Sequence, residues 1–190
     1  MFTDRRGQFG LSLVELAIFI AVVGAGVAGI LLVLSQTTRS SADPLLAKQA
    51  LAIAESMLEE VQLMPFTYCD PDDTNAATAA SAADCASLPE ALGPEAGESR
   101  YGAPGGQFDN VNDYRGYSSA AEAPPGIKDI TGNPIAALAS YAVSVEIVAA
   151  ALGAVPAGDA LLITVTATGP GNTVVALQGY RTRHAPNALP

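Results

Sequence analysis

Between Leu16 and Leu34 the chain carries no charged residue, within a run from Gly10 that reads GLSLVELAIFIAVVGAGVAGILLVL. An apolar stretch of about 18 residues or more is long enough to be a membrane helix. At ~1.5 Å rise per residue this one spans about 28 Å, close to one hydrocarbon core. A single carboxylate, Glu15, stands at its start, and a short polar leader with Arg5 and Arg6 precedes it.

The leader separates this segment from an ordinary secretory signal. Such a signal has a short apolar core followed by a small-residue cleavage site. Here the core runs longer and no A-x-A-like site follows promptly; the good small-residue boundary, Gly10-Leu11, lies before the core. Cutting there removes the charged leader and keeps the whole apolar helix. Arg5 and Arg6 stay cytoplasmic under the positive-inside tendency, which sends the rest of the chain across the membrane.

A competing reading comes from Gly24-Ala25-Gly26-Val27-Ala28-Gly29, which matches the G-x-G-x-x-G of a Rossmann flavin or nicotinamide site, with Asp43 near the offset of a ribose-binding acid. Its context is wrong. The helix after the glycines should be amphipathic, yet residues 30–34 are apolar all round, and residues 37–44 before and around Asp43 are turn-like rather than a second strand. Small residues are also common in membrane helices, where small-xxx-small spacing lets helices pack closely, and Gly24, Ala25, Ala28 and Gly29 fit that spacing.

Beyond the apolar segment, 190 residues leave room for one further domain. The net charge of −10 gives no electrostatic reason to bind nucleic acid, and no Lys/Arg cluster appears. Ten carboxylates fall between Asp70 and Glu122 against Arg100 and Arg115, which reads most simply as a solvated acidic surface. Cys69 and Cys85 lie in the same polar region, and on an exported chain they are expected to form a disulfide. Two cysteines and the distant His184 do not make a zinc set. Asp70, Asp72, Asp73 and Asn75 suggest an oxygen-rich calcium loop but lack the EF-hand spacing and its closing Glu. No metal site or cofactor is therefore assigned.

Asp43-Pro44 reads as an N-cap and first helical position. From there to Met64, Leu46, Ala50, Ile53, Met57, Val61 and Met64 recur at three- and four-residue steps, with Lys48, Glu55, Glu59 and Gln62 on another face. This predicts an amphipathic helix over 44–64, stopped by Pro65 and either continuous with the apolar helix or broken slightly near 40–43. Residues 86–135 are irregular, with a polar-aromatic stretch at Phe108–Tyr114 suited to an ordered turn built on Asx hydrogen bonds. Strict alternation in 141–147, 161–168 and 173–183 predicts three strands of an antiparallel meander within 140–184. Their apolar face is the natural partner of the Leu46/Ile53/Met57 face, an α+β arrangement. There is no convincing catalytic set: His184 is a lone, near-terminal histidine, and H-E-x-x-H, G-x-S-x-G and P-loop patterns are missing, so an enzyme is not expected.

The sequence Gly10-Leu11-Ser12-Leu13-Val14-Glu15 resembles the type IV prepilin signal: Gly, a hydrophobic residue (usually Phe), Thr or Ser, Leu, Ile or Val, then Glu. Leu11 stands where Phe is usual. Further blocks, Ser41–Val61, Pro65–Pro71, Phe108–Tyr114 and Gly179–Arg183, resemble the D-type minor pilins of the MSHA pilus system. The resemblance implies a pilin-like fold in which a long N-terminal helix packs on a C-terminal antiparallel sheet. It divides the chain into a leader (1–10), a transmembrane and assembly helix (11–35) and a periplasmic head (36–190) containing the helix 44–64 and a disulfide loop 69–85. It also implies cleavage between Gly10 and Leu11 by prepilin peptidase and N-methylation of Leu11.

For Glu15 the resemblance supplies a role. A charge inside an apolar helix costs about 3 kcal/mol or more, so it should find a partner, and no basic residue stands within the apolar segment. Cleavage would create an amine on Leu11. Helices staggered by about one turn would set that amine beside Glu15 of a neighbouring subunit, which is the pairing the resemblance implies. The alternative, Glu15 resting in interfacial water, fits an isolated subunit. The implied partners are prepilin peptidase, other major and minor pilins and an inner-membrane assembly platform. The implied location is the inner membrane as a single-pass protein, then the pilus. A type II secretion pseudopilin and an adhesin-like tip module are the neighbouring readings. The cysteines sit in the first half of the head, unlike the C-terminal disulfide loop common in major pilins, which favours a minor subunit.

Overall fold

The structure, a computed structural model, describes residues 13–189, except for the side chains of 35–43. The chain divides into two compact units at Pro44/Leu45. A helix, α1 (Leu13–Leu63), is assigned without interruption across that boundary and contains Pro44. Asp43-Pro44 therefore does not open a new helix. In the first unit, Leu13–Leu34 is long and apolar enough to cross a membrane, and none of it is buried within the chain.

The second unit is built on the amphipathic end of α1 and a three-stranded sheet. Strands β1 (Ala142–Ala149), β2 (Ala160–Gly169) and β3 (Thr173–Thr182) pair antiparallel in the order β1-β2-β3. The register sets Val145 opposite Val165 and Val165 opposite Leu177, so like faces align across the sheet. Period-two alternation then sends Val143, Val145 and Ile147 of β1 and Leu161, Ile163, Val165 and Ala167 of β2 into the core. Val175 and Leu177 of β3 pack against that core only in part.

The β2–β3 connection is a tight turn at Pro170–Asn172. Gly171 and Asn172 there adopt positive φ angles of 66° and 59°, the left-handed region that Gly and Asn enter most easily. The outer edge of β1 is covered by the chain at 116–119. Gly116 N–H donates to Val145 O, Val145 N–H to Tyr117 O and Ser119 N–H to Val143 O.

The helix buries Ala50, Ala54, Met57 and Val61 against this sheet. Leu46, Ile53 and Met64, which the spacing also assigns to the inner face, are only partly buried. Small side chains at 50 and 54 are fully buried, as is Val61. Where the helix runs over β3 the strand supplies Gly179: a Cβ there would lie 2.3 Å from Gln62 Nε2 and 3.3 Å from Leu58 Cδ1. Tyr141 Oη donates to Gln49 Oε1 at 3.0 Å.

The predicted irregular region is ordered by polar capping rather than by regular structure. A 3-10 turn at Val111–Tyr114 is closed by a capping box: the Asn110 side chain accepts from Val111 N–H, and Asp113 Oδ2 accepts from Asn110 N–H at 2.7 Å. All four residues of the turn are buried. Phe108, Tyr114 and Tyr117 meet edge to face, with ring centroids 5.0–6.3 Å apart.

Candidate functional site

The N-terminal segment and the acidic part of the head are the two places where sequence chemistry concentrates. Gly10 and Leu11 lie outside the described residues. Glu15 lies near the start of the described part of α1, and its side chain is exposed. The apolar side chains that follow are exposed on every side: Phe19 is 63% and Leu32 72% accessible. A Cβ added at Gly24, Gly26 or Gly29 would meet nothing within 4 Å. The small residues therefore leave room that no described part of this chain fills.

In the head, Cys69 and Cys85 form the expected disulfide, with Cα atoms 5.5 Å apart. The loop it closes has a small apolar core of its own: Ala76 and Ala79 are buried beside Cys69, with Tyr68 and Cys85 packed against them. Asn187 ties the C-terminal tail to this loop, its Nδ2 donating to the Ala76 and Ala79 carbonyls at 3.1 and 2.9 Å. The Arg183 guanidinium stacks over Phe66 and Tyr68 at 4.0 and 4.3 Å from their ring centroids.

The acidic stretch corrects the expectation of a purely solvated surface: Asp70, Asp73 and Asp113 are buried. Asp73 spends both oxygens on the backbone, accepting N–H bonds from Asn75, Ala86, Ser87 and Leu88 at 2.8–3.0 Å. Those bonds, Ser87 foremost, hold its carboxyl well below the usual range. It is a structural clasp between the two ends of the disulfide loop.

The other carboxylates converge with fewer compensating donors: Asp113 Oδ2 accepts from Asp109 and Asn110 N–H, and Glu90 Oε1 from the Asn112 amide. Oxygens of Glu90, Glu95 and Asp113 come within 4.8 Å of one another, as do those of Asp70, Glu95 and Glu98 and those of Asp70, Asp72 and Asp109. Burial, reinforced by neighbouring carboxylates, pushes Glu90 and Asp113 up to about 8 and Glu95 and Asp109 up to about 7. Each of the four ion pairs found among the described residues lies elsewhere: Glu60–Arg100, Glu146–Arg115, Glu122–Lys128 and Asp159–Arg183. Sequence reasoning missed this convergence. The Asn110–Asp113 spacing marks the turn, but nothing in the spacing ties it to Glu90 and Glu95.

His184 sits just past β3, exposed, with Nδ1 3.2 Å from the Thr182 carbonyl oxygen. No family model, curated protein or solved structure matches the chain.

Proposed function

We propose that this chain is a prepilin-type structural subunit of a type IV filament, a minor pilin of the MSHA-like kind, and not an enzyme. The observation that carries the reading is the order of features in the first 34 residues. A cationic leader is followed by Gly10-Leu11, then Glu15, then a helix whose apolar side chains are all turned outward. A monomer gains nothing from this arrangement in water; in a bilayer, and later among like helices, every one of those side chains finds apolar surroundings.

In this reading prepilin peptidase cuts between Gly10 and Leu11, and the new amine of Leu11 is methylated. The helix waits in the inner membrane with the α+β head on the periplasmic side. The assembly platform then moves it into a filament of other major and minor pilins. Unfilled space at Gly24, Gly26 and Gly29 lets neighbouring helices approach. Glu15 accepts the Leu11 amine of the adjacent subunit in a charge-assisted bond. The disulfide suits the oxidising compartment that this placement gives the head.

Shearing filaments from cells that express the chain tests the reading. The chain is expected in the sheared fraction, well below the major pilin in amount. Its confinement to the membrane fraction of piliated cells would refute filament membership.

A further inference from the structure

We propose that the head carries a calcium site formed by Glu90, Glu95 and Asp113, with the Asn112 side-chain carbonyl beside them. Five buried side-chain polar atoms among the described residues lack a hydrogen-bond partner, and three of them are oxygens: Glu90 Oε2 and Asp113 Oδ1, on two members of the cluster, and Asn112 Oδ1, on the residue whose amide bonds Glu90. The Asp113 side chain is fully buried and that of Asn112 is 2% exposed. The partners that are present occupy the other atoms. Asp113 Oδ2 takes the N–H bonds of Asp109 and Asn110, and Glu90 Oε1 takes the Asn112 amide. What remains is a set of buried lone pairs with no hydrogen-bond partner, although Arg183, whose Nε is likewise unpartnered, lines the same cavity as Glu90 and Asn112; unpaired lone pairs of this kind cost free energy unless something positive fills the place.

The donors select the ion. All are oxygens, with no histidine or thiol among them, which suits a hard cation. Calcium holds oxygens at about 2.3–2.6 Å, so ligands across the ion stand about 4.6–5.2 Å apart. The 4.8 Å limit within which the Glu90, Glu95 and Asp113 oxygens lie is compatible with one ion touching all three. Carboxylates that bind through one or both oxygens, joined by an amide carbonyl, suit calcium's flexible coordination better than magnesium's strict octahedron. Glu98 and Asp70, which share a second cluster with Glu95, add negative potential around the ion. A cation here would pin the 90–95 segment to the Val111–Tyr114 turn. The proposal does not depend on the filament reading, since its test uses the isolated protein.

The rival explanation is proton sharing: with Glu90 and Asp113 pushed up to about 8, the cluster could be neutralised by protons instead. The experiment is thermal unfolding of the full-length detergent-solubilised protein, stripped with EDTA and titrated with calcium chloride, with magnesium chloride in parallel and calorimetry for Kd. Calcium is expected to raise Tm by about 5–10 °C at a hundredfold excess over Kd, with magnesium far weaker. Glu95→Gln, which leaves the capping box of Asp113 intact, is expected to fold in EDTA and to bind calcium at least tenfold more weakly. Glu90→Gln should behave alike. An unchanged Tm up to about 10 mM calcium, beyond the range of extracellular calcium modules, would overturn the site. So would an undiminished calcium response in both variants.

Discussion

The ion pair between Glu60 and Arg100 joins α1 to the irregular part of the head. It is a two-pronged contact: Arg100 Nε donates to Glu60 Oε1 at 2.6 Å and Nη2 to Oε2 at 2.5 Å. Tyr114 Oη also donates to Glu60 Oε1 at 2.8 Å, and Arg100 Nη1 reaches Tyr117 Oη at 3.1 Å. Removing one member of a fully buried pair costs about 3–5 kcal/mol, whereas an exposed pair contributes about 0–1 kcal/mol. Here the two side chains are 14% and 30% exposed, Arg100 being the more enclosed. Glu60→Ala leaves that guanidinium and the Tyr114 hydroxyl without their acceptor, and should cost about 3 kcal/mol. Arg100→Ala leaves a carboxylate that water can reach, and should cost about 2 kcal/mol. The double variant should cost about 3 kcal/mol rather than the sum, a coupling of about 2 kcal/mol. Thermal unfolding in detergent reads this as a fall of roughly 6–12 °C for Glu60→Ala, at about 2–4 °C per kcal/mol for a domain of this size. Additive losses, or single losses below about 0.5 kcal/mol, would refute the reasoning.

Three further outcomes are expected. Replacing Cys69 and Cys85 together by Ala opens a loop of sequence separation 16 and should cost the head about 3 kcal/mol, read as a lower unfolding midpoint; an unchanged midpoint would sink the assigned role. Gly10→Val should leave full-length chain in the membrane, because in the proposed processing a side chain before Leu11 would block the peptidase; a mature N-terminus at Leu11 in that variant would contradict that processing. Glu15→Ala should insert and be cleaved normally but be depleted from sheared filaments, because a neighbour's Leu11 amine would be left without its acceptor. Incorporation equal to the parent's would refute the pairing.

The parts of this fold that obey a period were legible in the sequence. Alternation at Val143-Val145-Ile147 and Leu161-Ile163-Val165 predicted both the strands and the faces they bury, because one-sided burial fixes strand register. The turn between β2 and β3 falls on Gly171-Asn172, residues that tolerate left-handed backbone. Residues 44–64 read correctly as helix but less well as a surface. The spacing counted Leu46 and Ile53 with Ala50, Met57 and Val61 as the inner face, whereas Leu46 and Ile53 are only partly buried and Ala54, which it left out, is fully buried. The carboxylates were the least legible. Composition treats an acidic run as solvated, yet the burial of Asp73 depends on N–H groups of residues 86–88 that only the closed disulfide loop delivers. Glu90, Glu95 and Asp113 come together through loops of no fixed period, and Arg100 and Tyr114 reach Glu60 of α1 from the same irregular region. Pairings of this kind leave no trace in local spacing.

The claim on which the proposed function rests is that Gly10-Leu11 is a processing site placed before a retained apolar helix. The most direct measurement is the mass of the N-terminal peptide of the protein recovered from membranes of a host that has a prepilin peptidase. The proposed function requires a chain that starts at Leu11 and carries one added methyl group on its α-amine. A chain that still begins at Met1, or one cut after Leu34 so that the apolar segment is lost, would contradict it.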